Sequence, residues 1–499
     1  MKKIRQCENE NDEIKGSEDR LGDLPDCVLL HILSFLNTKH VVQTCVLSTR
    51  WRHLWKRIPT LILHCSKFTT KKHFTIFVSK ILTLRDPSTA LHALDLDRRG
   101  DIEPHVLKKI LNYVSSNKTH LKELGISIHG DGCLVMSCVS SCHALTSLNL
   151  SIYPRGSRRN LNYTPTLFPK SLNLPLLTSL DITNFVFCGG ESDCVEPFFA
   201  FTKLNSLVIR SCNVKDAQIL IISSDTLANL AINSSVKKIN SAMQNNSTNF
   251  PEIKENNPSN FVEIKLSTPN LRSFNFAGHL IQKISGSGLS SVRKVNINDL
   301  RQFHALAGHG LVLFSWLLDF ANVESLTVTS TTLQILSLVP DLFEVKLPSL
   351  CNLKLLEVEL IPLYDGSLSQ SIEDSMLEKA AAKSCKEVAK LRKAFNAGLV
   401  PPAIPDGMVD FLRQNSPSAV VNISTYFPDH FNLKQVEESI KGAKIVKYRS
   451  RYAAPGSSSI APASAPAPSS VSVPASAAPP NLHLCCADKD DKSSYEDKV

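Results

Sequence analysis

The sequence predicts an α/β fold: a short three-helix module near the N-terminus, an irregular solenoid on a curved parallel sheet, and a disordered C-terminal tail. Three observations carry that expectation. A strongly apolar stretch, "LPDCVLLHILSFL" (Leu24 to Leu36), stands ahead of any obvious core. One six-residue leucine pattern recurs ten times between Leu91 and Leu360. From Ala453 to Pro480 the chain is mostly Pro, Ala and Ser, which cannot build a core.

Composition narrows the function classes. The chain has 499 residues, 43 % hydrophobic and 20 % charged, an ordinary globular balance. Its net charge of +9 comes from 55 basic and 46 acidic residues, spread without a dense basic block, which argues against a nucleic-acid partner. The first twenty residues are polar, so no secretory signal is expected. The apolar runs, including "LVLFSWLLDF" (Leu311 to Phe320), fall short of the roughly 20 residues a bilayer requires. Fourteen cysteines without regular spacing read as reduced thiols of a nuclear or cytoplasmic protein.

The elements follow in order. Residues 1–18 are expected to be disordered. Asp23 is the candidate N-cap of the first helix, with Pro25 in its first turn. Val28, Leu29, Ile32, Leu33, Phe35 and Leu36 then cover more than half of its circumference. A second helix runs from His40 to Leu47. Ser48 is expected to cap a third, on which Trp51, Leu54 and Trp55 recur at three- and four-residue spacing. So small a module cannot bury this much apolar surface by itself, and an exposed patch of that size marks a protein interface.

The repeated pattern is Leu-x-x-Leu-x-Leu with aliphatic or Phe replacements. It starts at Leu91, Leu121, Leu145, Leu177, Leu204, Leu227, Leu271, Val292, Val323 and Leu353, at intervals of 21 to 44 residues. Such units are leucine-rich repeats, each giving one short strand to a parallel sheet. The Asn or Cys usual three residues beyond the last strand leucine is mostly missing, although Cys212 fits, so the convex side is expected to vary. The longest interval contains "NSAMQNNSTNFPEIKENNPSN", read as an inserted loop. After Leu360 the pattern stops. One helix is expected from Ser371 to Asn396, its Ile372, Met376, Ala380, Val388, Leu391 and Phe395 face covering the end of the solenoid.

The residues "DLPDCVLLHILSFL", "VLSTRWRHLW" and "IPTLIL", in this order, resemble an F-box of the plant type over about Asp19 to Leu63. With the repeats behind it, the chain resembles plant F-box/LRR proteins, many of which end in an FBD domain; "IPDGMVDFLRQNSPSAVVNI" (Ile404 to Ile423) is similar to their C-terminal material. The expected domains are therefore an F-box at 19–63, a linker at 64–90, repeats at 91–362, a helical or FBD-like region at 363–452 and the tail at 453–499. The resemblance implies docking on the SKP-type adaptor of an SCF ubiquitin ligase, and through it on a cullin. It assigns Leu24, Pro25, Leu29, Ile32, Leu33, Val46, Trp51 and Trp55 to that contact.

No catalytic constellation is present in the sequence. Cys138, Cys142 and His143 have a spacing a metal could use, but no second cluster completes four ligands, so neither metal nor cofactor is expected. His31 and His53 read as packing or surface residues, and Cys485-Cys486 as a neutral doublet rather than a lipidation site. The expected role is a substrate-recognition subunit acting by proximity; the alternative is an F-box/LRR protein that binds a partner without promoting its degradation.

The repeats also nominate a capture face for an unknown protein substrate. Strand residues alternate between faces, so those flanking the final strand leucine point outward on the concave side. They run from Asp95 and Asp97 through Gly125 and Ser127, Asn149 and Ser151, Asp181 and Thr183, Val208 and Arg210, Ala231 and Asn233. The row continues through Asn275 and Ala277, Asn296 and Asn298, Thr327 and Thr329, to Glu357 and Glu359. It is acidic at both ends with Arg210 its one cation, a pattern that suits a partner bearing basic residues.

Overall fold

The computed structural model describes residues 21–440 apart from Gly22, Lys118, 154–165, Glu191, 235–261, 279–281, 300–307, 363–365 and 428–429. The expectations for 1–18, for the inserted loop and for the tail fall outside the described residues.

The first helix, α1 (Asp26–Ser34), begins two residues later than expected: Pro25 holds the N-cap position and no side chain caps it. Asp26 places its carboxylate in the first turn, where Arg50 at 2.8 Å and Arg57 at 3.3 Å bind it. Asn37 caps α2 (Thr38–Gln43) by accepting the Lys39 N–H at 3.1 Å. The expected third helix is not α-helical. Between Ser48 and Lys56 the bonds run i→i+3, as from Trp51 N to Ser48 O and Leu54 N to Trp51 O, and only Leu54–Arg57 forms a 3-10 turn. That tighter winding still turns Trp51, Leu54 and Trp55 inward.

The chain then enters one twelve-stranded parallel sheet in sequence order. Its strands are β1 (Thr60–His64), β2 (Ala93–Asp101), β3 (Glu123–His129), β4 (Ser147–Tyr153), β5 (Ser179–Thr183) and β6 (Ser206–Arg210). They continue as β7 (Asn229–Ser234), β8 (Ser273–Gly278), β9 (Lys294–Asp299), β10 (Ser325–Thr329), β11 (Leu355–Leu360) and β12 (Val420–Thr425). All ten motif copies lie on β2 to β11, and the ladder keeps their leucine positions in register. Leu94 pairs with Leu124, Leu124 with Leu148, Leu148 with Leu180, and so on to Leu356 with Val421. These side chains are fully buried, and at about 1.5–3 kcal/mol each they supply most of the cohesion between neighbouring repeats.

The convex side changes character along the chain. Residues 64–90, expected to be a linker, hold α3 (Lys71–Leu84), which buries Phe74, Val78 and Ile81. Helices α4 (Pro104–Ser116) and α5 (Gly132–Val139) back the next two strands. In the middle repeats two small parallel sheets replace them, one of three strands and one of four. The corner after β5 is made by Asn184 in the left-handed region (φ 67°), whose amide donates to the Ile152 carbonyl at 2.8 Å. It ties adjacent repeats together from one position earlier than the repeat consensus. Helices α6 (Gly308–Asp319) and α7 (Ser330–Leu336) return behind β8 to β10, where Phe276 meets Trp316 at 4.8 Å and Phe274 meets Phe320 at 5.5 Å.

Two findings correct the reading of the C-terminal region. The helix expected over 371–396 is two helices, α8 (Gly366–Lys383) and α9 (Cys385–Asn396), broken where Ser384 accepts the Glu387 N–H at 3.3 Å. Ile372 and Ala380 are buried, whereas Val388, Leu391 and Phe395 are only half-buried. The sheet also does not stop at Leu360. After α10 (Met408–Arg413), β12 pairs with β11 in full register and buries Val421 and Ile423. The segment then reaches α11 (Leu433–Ser439).

Candidate protein-docking surfaces

Two surfaces of different chemistry stand at known places in this fold. The first lies on α1 and the loop after α2. The interior of the module is filled by Leu29, Leu33, Val41, Trp51, Leu54, Trp55 and Ile58. Once these are packed, Val28 (39 %), Ile32 (40 %), Phe35 (70 %), Leu36 (40 %), Val46 (77 %) and Leu47 (63 %) remain exposed. Exposed apolar side chains this close together on so small a module are unusual for a free surface.

That distribution divides the eight residues assigned to the adaptor contact. Of the eight candidates, Pro25, Ile32 and Val46 are exposed and Leu24 is half-buried. Leu29 (0 %), Leu33 (1 %), Trp51 (6 %) and Trp55 (5 %) point into the module and have no surface to offer a partner. The helical spacing could not separate the two groups, because apolar residues occupy both faces of α1. Phe35 and Leu47, among the most exposed, were expected on the first and second helices but lie just past the ends of α1 and the 3-10 turn Thr44–Val46.

The second surface is the outward face of the sheet. The nominated positions form two rows in register, Asp95–Gly125–Asn149–Asp181–Val208 in one and Asp97–Ser127–Ser151–Thr183–Arg210 in the other, although Thr183 and Thr329 are themselves buried rather than outward. The rows continue through Asn296 and Asn298 to Glu357 and Glu359. Ile62 and His64 of β1 extend them at one end, Asn422 and Ser424 of β12 at the other. A third outward row, at the first residue of each strand, was missed in the sequence and adds Glu123, Asn229 and Lys294.

Most of the charge on this face is already engaged. His64 Nε2 lies 2.7 Å from Asp95 Oδ2, and the space for that carboxylate exists because residue 125 is glycine: a Cβ there would sit 2.7 Å from Asp95 Oδ1. The Arg210 guanidinium binds Asp181 on the neighbouring strand. Glu357 accepts from Thr327 at 3.1 Å. Burial pushes the Glu359 carboxyl above the usual carboxylate range. A carboxylate held in that state is best relieved by an incoming cation.

Cys138 and Cys142 are buried, Cys138 lying 3.5 Å from the Leu111 carbonyl, while His143 is exposed. Among the described residues no group of three or more His, Cys, Asp or Glu could hold a metal. No helix there is long and apolar enough to cross a membrane.

Comparison with known proteins matches the N-terminal module to a domain family. Residues 21–63, the apolar module with β1, match the F-box domain. The chain is similar to a putative FBD-associated F-box protein of Arabidopsis thaliana, 30 % identical over 227 residues that cover 45 % of this chain and 46 % of that one. F-box/LRR-repeat protein 13 of the same plant is 31 % identical over 34 % of this chain and 36 % of its own length. Another Arabidopsis FBD-associated F-box protein is 23 % identical over 90 % of this chain and 88 % of its own. The chain thus spans less than half of the first of these relatives where it matches, and nearly all of the last.

Proposed function

Because the chain carries an F-box at the head of a plant F-box/LRR-like solenoid, we propose that it is a non-catalytic substrate-recognition subunit of an SCF-type ubiquitin ligase. Its N-terminal module docks on an SKP-type adaptor, which in turn binds a cullin. The solenoid holds the protein to be ubiquitylated. The observation that carries this reading is the set of exposed apolar side chains from Val28 to Leu47 on a module whose own core is complete. Covering the exposed part of these six side chains, a fraction of the about 1.5–3 kcal/mol that full burial of each would give, supplies an apolar driving force for association. Catalysis would be by proximity alone: the captured protein's lysines are held at high effective concentration near the ubiquitin-carrying enzyme.

The capture site in this reading is the outward face of β2 to β11, with Asp95, Asp97, Asn149, Asp181, Arg210, Asn296, Glu357 and Glu359 among its contacts. It selects a partner with cationic and hydrogen-bonding groups. The place of action is the nucleus or the cytoplasm. The test is affinity purification of the tagged chain from plant cells, blotted for adaptor and cullin and then examined for ubiquitylated co-purifying proteins. Adaptor and cullin with no ubiquitylated partner would favour the second reading, a binding protein that does not promote degradation. Absence of the adaptor would overturn both.

A further inference from the structure

Neither surface uses the helical hairpin of α8 and α9. From Lys379 to Lys393 the chain carries six cations and one carboxylate, Glu387, a net +5 against +9 for all 499 residues. These cations are not adjacent in the chain; the helix gathers them. Ser384 caps α9, and Gly398 ends it in the left-handed region (φ 91°), with the Leu399 N–H returning to the Ala394 carbonyl at 3.0 Å. The helix packs on α8 through its half-buried Val388, Leu391 and Phe395. Lys386, Lys390 and Lys393, four and three residues apart, therefore share the opposite side, and all three are exposed.

Little on the hairpin neutralises that side. Lys379 is engaged elsewhere, with its ammonium over the Phe343 ring at 5.9 Å and 3.5 Å from the Ser337 carbonyl. Among the described residues Lys386, Lys390, Arg392 and Lys393 belong to no ion pair. Just past the end of α9, Leu399 (41 %) and Val400 (66 %) expose apolar side chains. The same short segment thus offers cations and uncovered apolar surface together.

We propose that the Lys386–Lys390–Lys393 face, with Leu399 and Val400, lies on an anionic phospholipid surface. Ammonium groups on a helix side are drawn to acidic headgroups, and neighbouring apolar side chains enter the boundary with the acyl chains. An acidic protein groove fits less well. Such a groove takes up the apolar face of a basic helix, and here that face already lies against α8. A nucleic-acid strand could pair with the lysines but would leave Leu399 and Val400 in water. The face shares no residue with the docking module or the capture rows. A receptor held there samples proteins at the membrane surface rather than in bulk solution.

Co-sedimentation of the full chain with vesicles tests this without adaptor or ubiquitin. The vesicles are phosphatidylcholine with about a third phosphatidylserine, or phosphatidylcholine alone. The expected result is retention on the anionic vesicles only, lost when salt rises from 0.1 to 1 M and the screening length falls from about 10 to about 3 Å. Each lysine near such a surface contributes about fivefold, so Lys386→Gln/Lys390→Gln/Lys393→Gln should weaken partitioning about a hundredfold. Val400→Ser, which leaves the charge unchanged, should weaken it about threefold. The charge-matched change Lys71→Gln/Lys72→Gln/Lys80→Gln on α3 should leave it within twofold. Thermal unfolding of each variant checks that these exposed changes keep the fold. No retention on anionic vesicles, equal retention on neutral ones, or full retention of the α9 variant would overturn the proposal. So would calcium-loaded calmodulin or a single-stranded oligonucleotide that binds the chain more tightly than the vesicles do and loses it in the α9 variant.

Discussion

Arg85, at the end of α3, donates through Nη2 to the Ile58 carbonyl at 2.7 Å, joining the first repeat to the last residues of the docking module. The same side chain, 4 % exposed, also reaches the carbonyls of Ala90 at 3.1 Å and Thr89 at 2.8 Å and the Tyr113 hydroxyl at 2.6 Å. With β1 paired to β2, this makes module and solenoid one continuous body, so the capture face stands at a fixed position relative to any docked adaptor. Removing the guanidinium leaves buried carbonyls without a donor. Arg85→Met should therefore cost about 3 kcal/mol, seen as a lower urea midpoint. Hydrogen exchange should quicken around 54–64. An unchanged midpoint would mean that the bonds to Arg85 do not hold the junction.

The exposed and buried residues of the module should separate in mutation. Phe35→Asp puts a charge on the most projecting part of α1 and should abolish adaptor pull-down with little change in melting temperature. Leu33→Ala should cost about 2–5 kcal/mol of stability and lose the adaptor only because the module loosens. The paired change Leu24→Ala, Pro25→Ala should also abolish pull-down while the repeats stay folded. Pull-down run beside circular dichroism distinguishes the two routes; adaptor retained by Phe35→Asp would move the interface off α1.

On the capture face the acidic positions are not equivalent. Asp181 is neutralised by Arg210, whereas among the described residues Glu357 has only the Thr327 hydroxyl. Removing both members of the first pair, Asp181→Asn with Arg210→Gln, leaves the net charge of the face unchanged and should weaken capture by no more than about fivefold, the equivalent of the roughly 0–1 kcal/mol that such partly exposed pairs contribute. Glu357→Lys should reduce retention of cationic partners about fivefold or more, measured by quantitative mass spectrometry of captured proteins, and leave adaptor binding unchanged. Equal retention with Glu357→Lys would place capture elsewhere.

The parallel sheet was legible because ten motif copies share one six-residue pattern, and a period-two strand cannot slip by one residue without turning its leucines to solvent. β12 was not, because its first motif position is Ser418 and only Val421 and Ile423 keep the pattern. The convex side was illegible for another reason. "FVFC" and "ILIIS" are short apolar runs that either a helix or a strand could use, and the neighbouring repeat decides which. On α1 the sequence identified the apolar residues but not their partition, which depends on where Trp51 and Trp55 fold back.

Glu359 offers a test through pH. Burial raises its folded-state pKa above the unfolded value, so the charged form is disfavoured in the folded chain. The protein therefore holds fully the stability linked to this group below the unfolded carboxylate pKa, and loses it as pH rises through the folded value. Glu359→Gln removes that loss. The variant should melt higher than the parent at pH 7, and the difference should shrink as pH falls toward the unfolded carboxylate range of about 4, by which point the parent's own carboxyl has already taken up its proton. A cationic partner lying on β11 would act in the opposite sense on the parent, stabilising the carboxylate and raising its melting temperature at pH 7 more than that of Glu359→Gln. Melting curves of both proteins at the two pH values decide the point: a gap that stays constant with pH would show that Glu359 is not strained by its charge, and the cation preference assigned to this end of the face would lose its physical basis.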